Sequence, residues 1–214
     1  VTVSAQVLRA ADRVARCWGA GSGTTATVAE GDGWRVSIAT VTRSGPFTAL
    51  PGVHRRLALL RGEPLELDLG AIVLRADADA PPAGFAGDEP PTARVTGAGS
   101  TVVNAFVSST GTAKIELVRV DDETLRIGHG WDAVVFAASV TTTVEAHAPA
   151  RGLDVRVLTL DPTDALVLRA DGPAPTVSLR VVGSGRVAVV RTGDQVGDAS
   201  GSSFGIPMSR RPRR

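Results

Sequence analysis

The sequence predicts an all-β protein: many short strands, enough of them for two small barrels in tandem. Three observations carry this. Apolar and polar residues alternate at period two in run after run, the pattern of half-buried strands. Stretches with a helical period are few. Glycine and proline, 24 and 13 residues respectively, recur between the runs as turn chemistry, at spacings that suit a sandwich or barrel.

Taken in order, Leu8 to Cys17 is the exception, with a composition suited to a short helix or an irregular connection. In Trp34-Arg35-Val36-Ser37-Ile38-Ala39, alternation puts Trp34, Val36 and Ile38 on one face and Arg35 and Ser37 on the other. Leu65, Leu67 and Leu69 share a face opposite Glu66 and Asp68. Further runs follow at Val102 to Val107, Ile115 to Val120, Val134 to Ala137, Val155 to Leu160, Val177 to Val182 and Val187 to Arg191. Turns fall at Gly31-Asp32-Gly33, Ala80-Pro81-Pro82, Gly97-Ala98-Gly99 and Gly183-Ser184-Gly185, the last reading as a hairpin between two valine-rich strands. A Ser/Thr/Gly stretch, Ser108 to Thr112, sets the expected boundary: residues 1–110 form a first barrel with the pocket, and residues 111–214 a second barrel plus a basic tail.

Composition narrows the function. Of 214 residues 43% are hydrophobic, ample for a packed core, and 23 basic against 22 acidic residues argue against broad phosphate neutralisation. Neither nucleic acid nor an anionic membrane surface is an expected partner. The single cysteine, Cys17, excludes an intrachain disulfide. No apolar stretch follows basic residues at the N-terminus, and no run reaches the ~18 apolar residues of a membrane helix, so a cytoplasmic location is expected. Oligomeric state is not legible, although exposed sheet edges often pair barrels into homodimers.

Catalytic chemistry finds little support. The three histidines, His54, His129 and His147, offer no His-x-His strand pair, so no metal and no cofactor are expected. No Gly-x-Ser-x-Gly elbow is present, and Cys17 beside Trp18 reads as a small core residue rather than a reactive thiol. The run Gly19-Ala20-Gly21-Ser22-Gly23 lacks the spacing and setting of a phosphate loop; its glycines suit a tight loop near a barrel mouth. The tail Arg210-Arg211-Pro212-Arg213-Arg214 reads as a solvated terminus, and Arg156, Arg169 and Arg180 follow no recognised pattern.

The segments RAADR (9–13), CWGAGSGTT (17–25), WRVSIATV (34–41), GPFTALPGVHRRLALL (45–60), FAGD (85–88) and VVNAF (102–106) form an ordered set. This set resembles the HutD/Ves family, bacterial proteins several of which are encoded with histidine-utilisation genes. The resemblance implies a double cupin, RmlC-like jelly-roll barrels in tandem. Trp18, Gly21 and Gly23 match its Trp-Lys-Asn-Gly-Gly-Gly-x-Thr segment, and Trp34, Arg35 and Ser37 its Trp-Arg-x-Ser strand. Gly45, Pro46, Phe47, Pro51, Gly52 and Arg55 match its Gly-Pro-Phe…Pro-Gly-x-x-Arg turn, Phe85, Gly87 and Asp88 its Phe-x-Gly-Asp turn, and Asn104 a late-strand asparagine. Departures are Gly19 and Ala20 for the family's Lys and Asn, Ser22 for a glycine, and His54 for an acid.

By resemblance the chain is expected to be a non-enzymatic binding protein for a small acidic metabolite, such as urocanate or formylglutamate, regulating histidine utilisation. The expected ligand site comprises Arg35, Arg55, Ser37, Asn104, Trp18, Phe47 and His54, with guanidinium forks matched to a carboxylate and aromatic walls. Structural roles stand beside these: Arg35 paired with Asp88 or Glu63, Arg55 solvated, Asn104 satisfying backbone. Two other functions remain open, a metal-free cupin isomerase or epimerase using His54 as acid or base and an interaction module without a ligand.

Overall fold

A computed structural model describes residues 3–18, 22–108, 111–122, 124–127, 132–138, 141–148, 153–170 and 177–194. The strands are β1 (Val3–Leu8), β2 (Arg16–Trp18), β3 (Gly23–Gly31), β4 (Trp34–Val41), β5 (Gly45–Pro46), β6 (Val53–Gly62), β7 (Leu65–Asp68), β8 (Val73–Ala76), β9 (Ala83–Ala86), β10 (Thr92–Val95) and β11 (Ser100–Ser108). Then come β12 (Gly111–Asp121), β13 (Thr124–Ile127), β14 (Asp132–Ala137), β15 (Thr142–Ala148), β16 (Leu153–Leu160), β17 (Ala165–Ala170), β18 (Val177–Val182) and β19 (Ser184–Asp194). Among the described residues the helical content is one short 3-10 turn, Ala10–Asp12, and no helix is long and apolar enough to cross a membrane.

The strands pair into four sheets among the described residues. A six-stranded sheet, β2-β3-β4-β11-β6-β9, closes against a four-stranded one, β5-β10-β7-β8; a five-stranded sheet, β1-β17-β14-β19-β12, closes against β13-β18-β15-β16. Each pair encloses its own apolar core, around Val41, Leu57, Leu65 and Val102 in the first and around Val135, Leu166, Leu179 and Val189 in the second. A third apolar layer joins the six-stranded and five-stranded sheets back to back, with Trp34, Val36, Val103 and Ala105 against Val134, Phe136, Val167 and Val190. The central strands are therefore covered on both faces, which is why they read as nearly continuous apolar runs. The alternation at Trp34 now has its meaning: Trp34 and Val36 enter the layer between the barrels, and Arg35 and Ser37 turn into the first barrel.

Two sequence expectations are corrected. The N-terminal strand, counted with the first barrel, hydrogen-bonds to the second, in register from Val3 opposite Ala170 to Leu8 opposite Ala165. Val3, Ala5 and Val7 pack on the second core; a six-residue alternating run fits either sheet, and only tertiary packing selects one. Nor is Gly183 the tip of a hairpin. It turns a corner, because β18 pairs with β13 and β15 while β19 pairs with β12 and β14. Its φ of 97° demands glycine, and its N–H donates to Asp122 Oδ1 at 2.7 Å. Asp122, itself at φ 53°, sits where the chain leaves β12, so the two sheet-switching corners brace each other.

A bulge links the barrels. Register runs from Thr101 opposite Arg61 to Val102 opposite Leu59, leaving Leu60 without a partner residue. Its carbonyl accepts instead from Arg186 Nη2 of the second barrel at 2.6 Å. Arg186→Met is expected to cost about 1–3 kcal/mol, the penalty of an unsatisfied buried carbonyl, read from the urea midpoint; Arg186→Lys should recover part of it.

Candidate functional site

Cross-strand register builds the site. Arg35, Phe106, Arg55 and Phe85 stand directly opposite one another across β4, β11, β6 and β9, so their side chains share one face of the sheet. Two residues along, Ser37 lies opposite Asn104 in the same orientation. Trp18 from β2 and Phe47 after β5 complete a wall, their rings in edge contact at 5.2 Å. Gly23 lets β3 pass there, since a Cβ would overlap the Thr40 carbonyl and press on the Trp18 ring. The cavity, partly open to solvent, has a volume of about 1030 Å³, at the upper end for a small-molecule pocket.

Arg55 is 7% exposed. Its guanidinium carbon lies 4.9 Å from the Phe47 centroid, 5.1 Å from Phe85 and 4.9 Å from Phe106, and Nη2 donates to Asn104 Oδ1 at 3.2 Å. Arg35 stacks on the same Phe106 ring at 4.4 Å. Neither arginine has an ion-pair partner among the described residues. The pairing of Arg35 with Asp88 or Glu63 does not form; Asp88 accepts instead from the Gly52 N–H at 3.2 Å. Burial, and then the like charge of Arg35, push the Arg55 pKa down to about 10, which still leaves a cation at neutral pH. Arg35 Nε, Arg55 Nε, Ser37 Oγ and Trp18 Nε1 are all buried without a hydrogen-bond partner.

The HutD family model matches residues 10–189. The chain belongs to the HutD family. Among solved structures it is similar to a conserved protein of unknown function from Pseudomonas aeruginosa PAO1, at 25% identity over 89% of this chain and 99% of that one, TM-score 0.74. It is also similar to HutD from Pseudomonas fluorescens SBW25 in a formate condition, at 23% identity over 90% and 100%, TM-score 0.69. Oxalate decarboxylase from Bacillus subtilis, at 7% identity over 88% and 76% with TM-score 0.56, shares the fold alone. The fold is a double cupin. No curated protein matches the chain.

In this HutD-family chain the cavity is lined by five arginines, Arg9, Arg13, Arg16, Arg35 and Arg55, against two carboxylates, Asp12 and Glu30. Glu30, opposite Arg35 in the β3–β4 register, forms no ion pair with it. An oxyanion satisfies such a set: each guanidinium offers parallel charge-assisted bonds, stronger where water is excluded. The set does not suit a metal. Guanidiniums carry no ligating lone pair and repel a cation, and Asn104 Oδ1 is already bonded to Arg55. Among the described residues no three His, Cys, Asp or Glu side chains converge.

Of the expected site residues, Arg35, Arg55, Ser37, Asn104, Trp18 and Phe47 line this one cavity. His54 does not. It neighbours Arg55 on β6, so its side chain leaves the opposite face and is exposed. Cys17, expected in the core, is exposed for the same reason, lying between the cavity-lining Arg16 and Trp18. His129, Gly19, Ala20 and the arginine tail lie outside the described residues, and His147 and Arg156 lie on β15 and β16. Arg169 clamps the barrels, donating to the Glu30 carbonyl at 2.9 Å and lying 5.9 Å from the Trp34 ring centre; Arg180 pairs with Glu145 at 3.5 Å.

Sequence reasoning missed Phe106 as a wall and Phe85 as the core ring packed against Arg55, although Phe106 stands two residues from Asn104 and must share its face. It also missed Asp12, Arg13, Val14 and Arg16, which reach the cavity from outside the first barrel's sheets or at their edge; nothing in their pattern signals this.

Proposed function

We propose that this chain is a non-enzymatic cytoplasmic binding protein for a small acidic metabolite in histidine utilisation, with urocanate and formylglutamate as candidate ligands. One observation supports it above others: Arg35 and Arg55 face a single cavity and neither is ion-paired among the described residues, although Asp12 and Glu30 line the same cavity. Two guanidiniums so placed repel each other, and a carboxylate bridging them removes that repulsion while filling their free donors. The isomerase reading needed His54 in the cavity, and His54 stands outside it.

The test is a thermal-shift screen against urocanate, formylglutamate, histidine, glutamate and divalent metals. Binding to the folded state raises the midpoint by mass action, by about 2.7 kcal/mol of stability at a hundred times Kd. A rise with an acidic metabolite that is lost in Arg35→Ala and kept in His54→Ala is expected. A rise with metal alone, or with nothing, overturns the reading. The pH dependence has a definite sign. The bound carboxylate needs Arg55 protonated, and the free site loses that proton through about pH 10; affinity therefore stays level across neutral pH and falls above about 10.

A further inference from the structure

The outer wall of the cavity is not made by the first barrel. Between β1, in the second barrel's sheet, and β2, in the first barrel's, the chain crosses as a strap from Arg9 to Ala15. Asp12, Arg13 and Val14 of this strap line the cavity. The strap belongs to no ladder, and most of its side chains are exposed, Val14 to 78%. Little of its own chemistry would hold it across the mouth.

One carboxylate of the second barrel does. Asp164, 3% exposed, accepts from the Ala10 N–H at 2.7 Å on Oδ1 and from Arg9 Nη1 at 2.7 Å on Oδ2. Burial alone would raise its pKa, but the bonds from Arg9, Ala10 and the Asp161 N–H hold it below the usual carboxylate value, so it is charged at neutral pH. The turn that presents it, Asp161-Pro162-Thr163-Asp164, is closed by the Asp164 N–H to the Asp161 carbonyl at 2.8 Å. Thr163 stands there at φ 72°, where a type II turn favours glycine. A β-branched residue in that conformation persists only where its surroundings over-determine it; here its N–H is fixed to the Ala137 carbonyl at 2.8 Å. The turn is thus a rigid mount. Arg13 adds a second hold, lying 6.0 Å from the Phe136 ring centre and donating to the Leu8 carbonyl at 3.0 Å.

We propose that Asp164 is the positioning residue of the cavity: from the second barrel it latches the Arg9–Ala15 strap over part of the first barrel's mouth, and release of that latch widens the opening through which solvent reaches the buried wall. The second barrel thereby acts on a site in the first. This goes beyond ligand identity and holds whatever anion the cavity takes.

The experiment reads access directly, with the full chain. Cys17→Ser removes the only cysteine, and Ser37→Cys then puts a thiol on the cavity wall. Its modification by methyl methanethiosulfonate, a small neutral reagent, is followed in 0 to 2 M urea, below the unfolding transition. Asp164→Ala and Arg9→Ala are each expected to speed modification at least tenfold, with little urea dependence, as a local opening does. An unchanged rate overturns the proposal. So does a faster rate carrying the urea dependence of global unfolding, which is what a purely structural Asp164 would produce. Should Ser37→Cys not fold, hydrogen exchange in Asp164→Asn decides. Faster exchange at residues 10–16 with β4 and β11 unchanged supports the latch; unchanged or uniformly faster exchange overturns it. Neither measurement uses a metabolite, so failure of carboxylate binding is a separate result.

Discussion

Arg55→Met is expected to weaken carboxylate binding by at least about 100-fold while leaving the unliganded protein no less stable than wild type. The binding loss follows from chemistry: each hydrogen bond to a charged partner contributes about 1.5–3 kcal/mol, and tenfold in Kd is about 1.4 kcal/mol. The stability outcome is less usual for a buried residue. Arg55 is desolvated, has no acid beside it and faces the like charge of Arg35, so its burial opposes folding. Methionine fills similar volume and makes favourable sulfur contacts with Phe47, Phe85 and Phe106. Against this stand the lost cation–π contacts and the bond to Asn104, each about 1 kcal/mol. Calorimetric titration with urocanate and formylglutamate reads the first quantity, and the melting midpoint of the free protein the second. A midpoint several degrees lower would make Arg55 a structural brace instead of a binding group.

Phe136→Ala should carry the largest stability loss, about 3–5 kcal/mol, as for a buried aromatic truncated in a core that cannot collapse. Phe136 is fully buried in the layer between the barrels. Both walls of that layer are paired sheets, which relax little. Its loss also removes the ring beneath Arg13. Because the layer joins both barrels, the urea transition is expected to shift as a whole, not to split. A cost below about 1 kcal/mol, or two resolved transitions, would mean that the layer does not couple them.

How far the sequence reaches is clearest on β4. Alternation separated Trp34 and Val36 from Arg35 and Ser37, and the structure sends the first pair between the barrels and the second into the cavity. That separation needs only the two-residue period of a strand. The same rule, applied to β6 and β11, excludes His54 beside Arg55 and adds Phe106 to Asn104. These were local deductions left undrawn.

Other features lie beyond any local rule. The pairing of β1 with β17 joins residues about 160 apart in the chain, and the strap that follows owes its position to Asp164, 155 residues from Arg9. Gly183 has the chemistry of a hairpin tip, yet its flanking strands enter different sheets.

The sequence by itself determined the all-β class, the family, the strand periodicity and most side chains that meet in the first barrel. These rest on nearest-neighbour geometry and on motifs contained within single strands and turns. Tertiary structure alone decided that Arg35 and Arg55 share one aromatic ring and form no ion pair among the described residues, that the first strand belongs to the other barrel, and that a second-barrel aspartate bonds the strap beside the cavity. Each of these depends on which surfaces bury one another, and the free energy of burial sums over contacts distant in sequence that no local pattern encodes.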